Sequence, residues 1–207
     1  MKLKVCGMRE PENIQALVDE VYPDWMGLIF YPPSPRYVFG KPIPLISRLE
    51  IKKVGVFVNE NISSIKKTAQ EFGLSTIQMH GKETAEEVKT VKEEIGLEVF
   101  KVFSVSEKID WTNLEAYLPY ADYFLFDTFT KDHGGSGKRF NWELLKDYPF
   151  DKPFLLSGGI SPSNAQDILK FGQLLPQLAG VDINSGFEVS PGLKDVKKVS
   201  EFKDKIQ

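Results

Sequence analysis

The sequence predicts an α/β protein, a single (β/α)8 TIM barrel spanning residues 1–207 and built on a parallel eight-stranded sheet. Three observations predict it. Eight short apolar, β-prone segments recur about 26 residues apart along the 207-residue chain. Each is a nearly continuous apolar run, as expected of a strand covered on both faces, and does not alternate as a half-solvated strand would. Amphipathic helical patterns lie between them, which implies βα units joined by right-handed crossovers.

The eight segments are Leu3–Cys6, Met26–Tyr31, Lys53–Val58, Thr76–Met79, Val99–Val102, Tyr123–Asp127, Phe154–Ser157 and Gly180–Ile183. Glu12–Val21 places Ile14, Leu17, Val18 and Val21 on one helical face. Pro42–Leu49 and Asn113–Leu118 carry weaker helical patterns. Ile62–Phe72 turns Ile62, Ile65 and Phe72 inward and Lys66 and Lys67 outward. Glu83–Ile95 offers Ala85, Val88, Val91 and Ile95 as an apolar stripe. Pro162–Phe171 offers Ala165, Ile168 and Leu169, and Lys194–Phe202 offers Val196, Val199 and Phe202. An open dinucleotide-binding sheet would want a Gly-rich turn after the first strand. Cys6-Gly7-Met8-Arg9-Glu10 has one glycine and no such fingerprint.

Composition narrows the function. At 42% hydrophobic and 27% charged, the chain is neither disordered nor fibrous. One cysteine, Cys6, excludes an intrachain disulfide and points to a reducing, cytoplasmic setting. A net charge of -3 leaves no basic excess for a nucleic-acid backbone. No apolar run reaches the roughly 18–20 residues that span a bilayer, so no membrane partner is expected. Met1–Arg9 is too short and interrupted for a signal peptide.

In a barrel of this kind, chemistry sits at the C-terminal ends of the strands. Those ends supply Cys6, the loop Tyr31-Pro32-Pro33-Ser34-Pro35-Arg36, His80, Asp127, Gly158 and Gly159, and the run Asp182-Ile183-Asn184-Ser185-Gly186. Gly158-Gly159 and Asn184-Ser185-Gly186 follow strands seven and eight, where barrels usually hold a phosphate on backbone N–H groups; tight βα turns use the same residues. Cys6 is either a buried inert thiol or a general base, and at an ordinary pKa only about 3% of it would be ionised at pH 7. Asp127 is either an N-cap or loop hydrogen-bond acceptor or a general acid. In the second role it needs burial or a nearby anion to keep its proton. Arg36 is a surface side chain or a fork for a carboxylate or phosphate, partly preorganised by its prolines. His80 is a site group or a cap on the turn at Gly81. Asp132–Lys138 is Gly-rich but lacks the spacing of a nucleotide-binding loop, and suits a flexible cover over the site. Two histidines and one cysteine offer no metal-ligand cluster.

Taken in order, several motifs resemble the phosphoribosylanthranilate isomerase family of tryptophan biosynthesis. They are Lys4-Val5-Cys6-Gly7-Met8-Arg9, then Gly27-Leu28-Ile29-Phe30 leading to Ser34-Pro35-Arg36, then Gln78-Met79-His80-Gly81. Gly134 through Trp142, Gly158-Gly159, Gly180-Val181-Asp182 through Gly186, and Pro191-Gly192-Leu193-Lys194-Asp195 complete the set. Asn184, Ser157 and Arg139 stand where that family often has Ser, Ala and Thr. The resemblance covers the whole chain and implies a cofactor-free, metal-free Amadori rearrangement of a phosphorylated small molecule. It implies Cys6 as general base and Asp127 as general acid. Arg36 would bind the anthranilate carboxylate, and Gly159, Ser185 and their neighbours Gly158, Asn184 and Gly186 the phosphate. His80 and Asp182 join them as expected substrate contacts. The protein would be a monomer or homodimer.

Two other phosphosugar barrels compete. The histidine-pathway isomerase would show Asp where this chain has Cys6, and a pentose-phosphate epimerase would need a His and Asp metal site. A non-enzymatic phosphate-binding barrel would need no acid–base pair.

Overall fold

The computed structural model describes residues 1–38, 44–128 and 141–207. Eight parallel strands close into a barrel in chain order, with β1 hydrogen-bonded to both β2 and β8. They are β1 (Lys2–Val5), β2 (Trp25–Ile29), β3 (Lys53–Phe57), β4 (Thr76–Met79), β5 (Glu98–Val105), β6 (Tyr123–Thr128), β7 (Phe154–Leu156) and β8 (Leu178–Ile183). Every one overlaps a segment expected from its apolar run, with ends shifted by up to three residues. Cys6 lies one residue beyond β1, yet its N–H still donates to the Ile183 carbonyl at 2.9 Å and continues the ladder.

The helices are α1 (Pro11–Glu20), α2 (Pro44–Arg48), α3 (Ile62–Phe72), α4 (Ala85–Ile95), α5 (Trp111–Glu115), α6 (Ala165–Leu174) and α7 (Val196–Ile206). Their starts follow local capping chemistry. Asn61 Oδ1 accepts from the Ser64 N–H at 2.9 Å to open α3. Thr84 and Glu87 exchange hydrogen bonds in a capping box that opens α4. The helical pattern from Glu83 therefore begins two residues late, because Glu83 is drawn into an ion pair with Lys101 at 2.6 Å. The stretch from Pro162 begins as one 3₁₀ turn (Pro162–Asn164) before α6. Between β6 and β7 the described chain holds only a 3₁₀ turn, Trp142–Leu145. The Gly-rich Asp132–Lys138 stretch, expected as a cover over the site, lies outside the described residues.

The C-terminal pattern needs a correction. Lys194 is not helical. It pairs with Glu188 across an antiparallel hairpin, β9 (Glu188–Ser190) and β10 (Leu193–Lys194), and Asp195 then caps α7. Pro191-Gly192 makes the reversal, with Gly192 at φ +86°. Asn13 on α1 pins the hairpin by exchanging two 2.8 Å hydrogen bonds with the Lys194 backbone.

Two apolar clusters result from strand alternation. Outward-facing residues such as Leu3, Val5, Met26, Leu28 and Phe126 pack against the helices. Trp25, Val54, Phe100, Val102, Leu125 and Leu155 fill the barrel interior. Lys4 and Cys6 share the inward parity of β1, so the floor of the mouth carries an ammonium and a thiol.

Candidate active site

Each strand end carries its expected side chain to the same rim. Asp127 ends the inward set of β6 and is 7% exposed. Its Oδ1 accepts from the Thr128 N–H at 2.8 Å, and its Oδ2 lies 3.4 Å from His80 Nε2. His80 follows β4, held by its N–H on the Phe57 carbonyl, and Gln78 below it contacts Nδ1 at 3.2 Å. His80 is thus a neighbour of Asp127, and Glu83, not His80, satisfies the Gly81 N–H.

Gly158 packs behind the same carboxylate. At φ +77°, a Cβ there would lie 2.2 Å from Thr128 Oγ1 and 2.7 Å from Asp127 Oδ1. Gly159 follows at φ +66°. A Cβ on Gly186 would sit 2.4 Å from the Ile160 carbonyl, so the loop after β8 lies directly on the loop after β7. Gly158, Gly159, Ser185 and Gly186 therefore meet in one place, a backbone-rich surface able to receive an anion. Asn164 fastens this surface from behind, donating to the Gly159 carbonyl at 3.1 Å and accepting from the Ser161 N–H.

Across the mouth, Arg36 is buried, which removes the surface-side-chain alternative. Its Nε donates to both oxygens of Glu188 at 2.9 and 3.1 Å, and its Nη2 donates to Oε2 at 2.6 Å. Lys194 Nζ donates to the same carboxylate at 2.5 Å and to Asn184 Oδ1 at 2.9 Å. The fork that prolines were expected to steady is in fact clamped by Glu188. Asn184 is turned toward Lys194 and the Gly7 backbone. Burial pushes the Glu188 carboxyl upward, but its bonds to Arg36 and the charge of Lys194 outweigh that and hold it below the usual carboxylate range.

Asp182 completes the strand-end set from below. Its side chain points inside the barrel, is 6% exposed, and accepts from Lys4 Nζ at 2.9 Å. Register makes the pair, because Lys4 and Asp182 are direct partners between β1 and β8. Burial raises the Asp182 carboxyl above its ordinary value despite the Lys4 ammonium, and Asp127 adds to the rise. Burial likewise pushes the Cys6 thiol up, while Lys4 and Lys194 pull against it. Sequence reasoning did not single out Lys4, Glu188 or Lys194 as site groups. The parity of Lys4 with Cys6 was a usable signal, whereas the hairpin pairing of Glu188 with Lys194 had none beyond Pro191-Gly192.

The model of the N-(5'-phosphoribosyl)anthranilate (PRA) isomerase family matches residues 3–205. The chain belongs to this family. Among relatives, the N-(5'-phosphoribosyl)anthranilate isomerase of Phocaeicola vulgatus is 48% identical over the full length of both chains. The phosphoribosyl anthranilate isomerase structure from Thermotoga maritima superposes at a TM-score of 0.82, with 32% identity, covering 100% of this chain and 98% of that one. A family structure in complex with reduced 1-(o-carboxyphenylamino)-1-deoxyribulose 5-phosphate matches at a TM-score of 0.78, with 29% identity over 100% and 98% of the two chains. The isomerase family thus accounts for the ordered motifs from Lys4 to Asp195. Among the described residues no helix is long and apolar enough to cross a membrane, and no His, Cys, Asp and Glu cluster could hold a metal.

Proposed function

We propose that the chain isomerises N-(5'-phosphoribosyl)anthranilate to 1-(2-carboxyphenylamino)-1-deoxyribulose 5-phosphate in tryptophan biosynthesis, with Asp127 as general acid and Cys6 as general base. Residues 1–207 act as one catalytic barrel domain in this reading, and the cytoplasm, with its reduced thiols, is the compartment that suits Cys6. The observation that carries it is the convergence on one rim of a carboxyl group, a thiol, a buried arginine and two glycine-bearing loops in mutual contact. The reaction asks for one acid, one base and two anion sites.

Asp127 gives its proton to the ribose ring oxygen. The C1'–O bond breaks and the anthranilate nitrogen supplies the electron pair that forms a Schiff base. Cys6 takes the C2' proton, and the C–H electrons shift to give an enolamine. Return of that proton to C1' and loss of the 2'-hydroxyl proton to Asp127 yield the ketone and restore both groups, so protons balance with no cofactor. Holding reactant and catalytic groups in register supplies the entropic part of the acceleration. His80 Nε2, 3.4 Å from Asp127 Oδ2, orients that carboxyl group. Arg36 uses two nitrogens on Glu188 and leaves Nη1 for the substrate carboxylate. Gly158, Gly159, Asn184, Ser185 and Gly186 receive the phosphate, and Asp182 acts from beneath the substrate.

The test is turnover of N-(5'-phosphoribosyl)anthranilate by the purified protein, with growth without tryptophan in a host lacking the isomerase. Asp127→Asn and Cys6→Ser should each lower kcat about 10²–10⁴-fold with the fold intact. Wild-type rates in either variant refute the assignment of that residue.

A further inference from the structure

Beneath the proposed acid–base pair the barrel holds an ammonium group that the reaction as described does not use. Lys4 is fully buried, 0% exposed, and a lysine in such a place needs a compensating charge. Asp182 provides one at 2.9 Å. Asp182 alone does not explain why the pair lies under Cys6. Lys4 and Cys6 share the inward face of β1, and β2 leaves room between them at Gly27. A Cβ on Gly27 would fall 2.9 Å from Cys6 Sγ and 3.2 Å from Lys4 Nζ, in the space through which sulfur and ammonium face each other. Any side chain there would separate them.

We infer that Lys4 is the positioning residue of the general base: anchored on Asp182, its ammonium faces the sulfur across Gly27 and is the charge partner that favours the Cys6 thiolate where burial opposes it. The inference rests on the reading of Cys6 as the base and adds the group that makes the sulfur competent. Several charges face Cys6. Of the pair below it, Lys4 favours the thiolate and Asp182 opposes it less strongly. Arg36 and Lys194 outnumber Glu188 beside Gly7 and Asn184, while Asp127 and His80 stand across the mouth and face Asp182. Ionising the thiol places a negative charge among these groups, and Lys4 is the cation directly under the sulfur. When Cys6 takes the C2' proton, the S–H bond forms and Lys4 reverts to its bond with Asp182 alone. When the proton leaves for C1', the thiolate and its ammonium partner are restored. Burial works against the Lys4 ammonium, but Asp182 and Cys6 together raise its pKa above the ordinary lysine value.

Cys6 is the chain's one cysteine, so its ionisation can be read directly from the ultraviolet absorbance of the thiolate as pH is raised, with Cys6→Ser as the blank. Asp182→Asn removes the carboxylate that competes for Lys4. It should raise the thiolate-to-thiol ratio at a given pH about tenfold, a shift of one pH unit in the midpoint. Lys4→Met/Asp182→Asn removes both charges together, which avoids an unpaired buried carboxylate. It should reverse that shift and carry the midpoint at least as high as in the unsubstituted protein. A merely structural role for Lys4 would change stability without giving the two variants opposite titration shifts. Identical midpoints in both variants, or a lower one in the double variant, overturn the inference. Wild-type turnover by Cys6→Ser would instead remove the base assignment and leave the titration result standing, so the two failures are distinguishable.

Discussion

Replacing Gly158 with alanine separates backbone strain from crowding at the acid. Gly158 has φ +77°, and the left-handed region costs an L-residue about 1–2 kcal/mol. The new Cβ would also stand 2.2 Å from Thr128 Oγ1, 2.6 Å from the Thr128 backbone nitrogen and 2.7 Å from Asp127 Oδ1. One of those atoms is backbone and another belongs to the proposed acid, so relief requires the end of β6 to move. Overpacking of this kind costs about 1–3 kcal/mol, which brings the total to about 2–5 kcal/mol. The structure supplies the control. Gly96 has nearly the same φ, +73°, yet a Cβ there meets nothing within 4 Å. Gly96→Ala should therefore cost only the strain, about 1–2 kcal/mol, and leave turnover untouched. Gly158→Ala should cost more in urea unfolding and also lower kcat about 10²-fold, the usual penalty for displacing a reacting group by about 1 Å. If the two variants unfold alike and Gly158→Ala turns over at the wild-type rate, the contact between Gly158 and the acid has no catalytic weight.

Other substitutions probe the remaining parts of the site and fold. Glu188→Gln leaves Arg36 and Lys194 without their shared carboxylate. It should cost about 3–5 kcal/mol in denaturant unfolding and raise KM as the guanidinium loses its clamp. Glu188 and Glu83 both have carboxyl pKa values held below the ordinary one, so their contribution to stability is present above about pH 4.5. It is lost as pH falls through their folded values, and urea midpoints measured from neutral to acid pH should drop less steeply in Glu188→Gln. Thr84→Ala removes the cap of α4 and should cost about 1 kcal/mol with no change in kcat. Phe100→Ala empties part of the barrel interior and should cost about 3–5 kcal/mol by thermal or urea unfolding.

The barrel was legible because its signal is local and repeated. Each strand is a short apolar run, and each of the longer helices shows the 3.6 period, so β4 and α3 fall on the expected residues. The rim residues were legible for a related reason: in a parallel barrel the end of a strand is the site, and strand ends can be read from the chain. What escaped were pairings between distant segments. The pattern from Lys194 looked helical because Val196, Val199 and Phe202 repeat at helical spacing. The competing cross-strand contact with Glu188 leaves no period to detect. Arg36 was read as an open fork because nothing near it in sequence marks a carboxylate 152 residues away as its partner.

The sequence by itself determined the architecture, the family and which residues stand at the rim, since hydrophobic period, strand order and ordered motifs are all properties of the chain read from end to end. Only the tertiary structure decided how those residues are partnered. Register between β1 and β8 sets Asp182 against Lys4, which gives an expected substrate contact a buried charge partner beneath Cys6. Closure of the hairpin over the mouth sets Glu188 against Arg36 and Lys194. The physical reason is range. Secondary structure is selected by interactions between near neighbours in the chain, whereas the charge state of a buried group depends on every group that folding brings within a few ångströms of it.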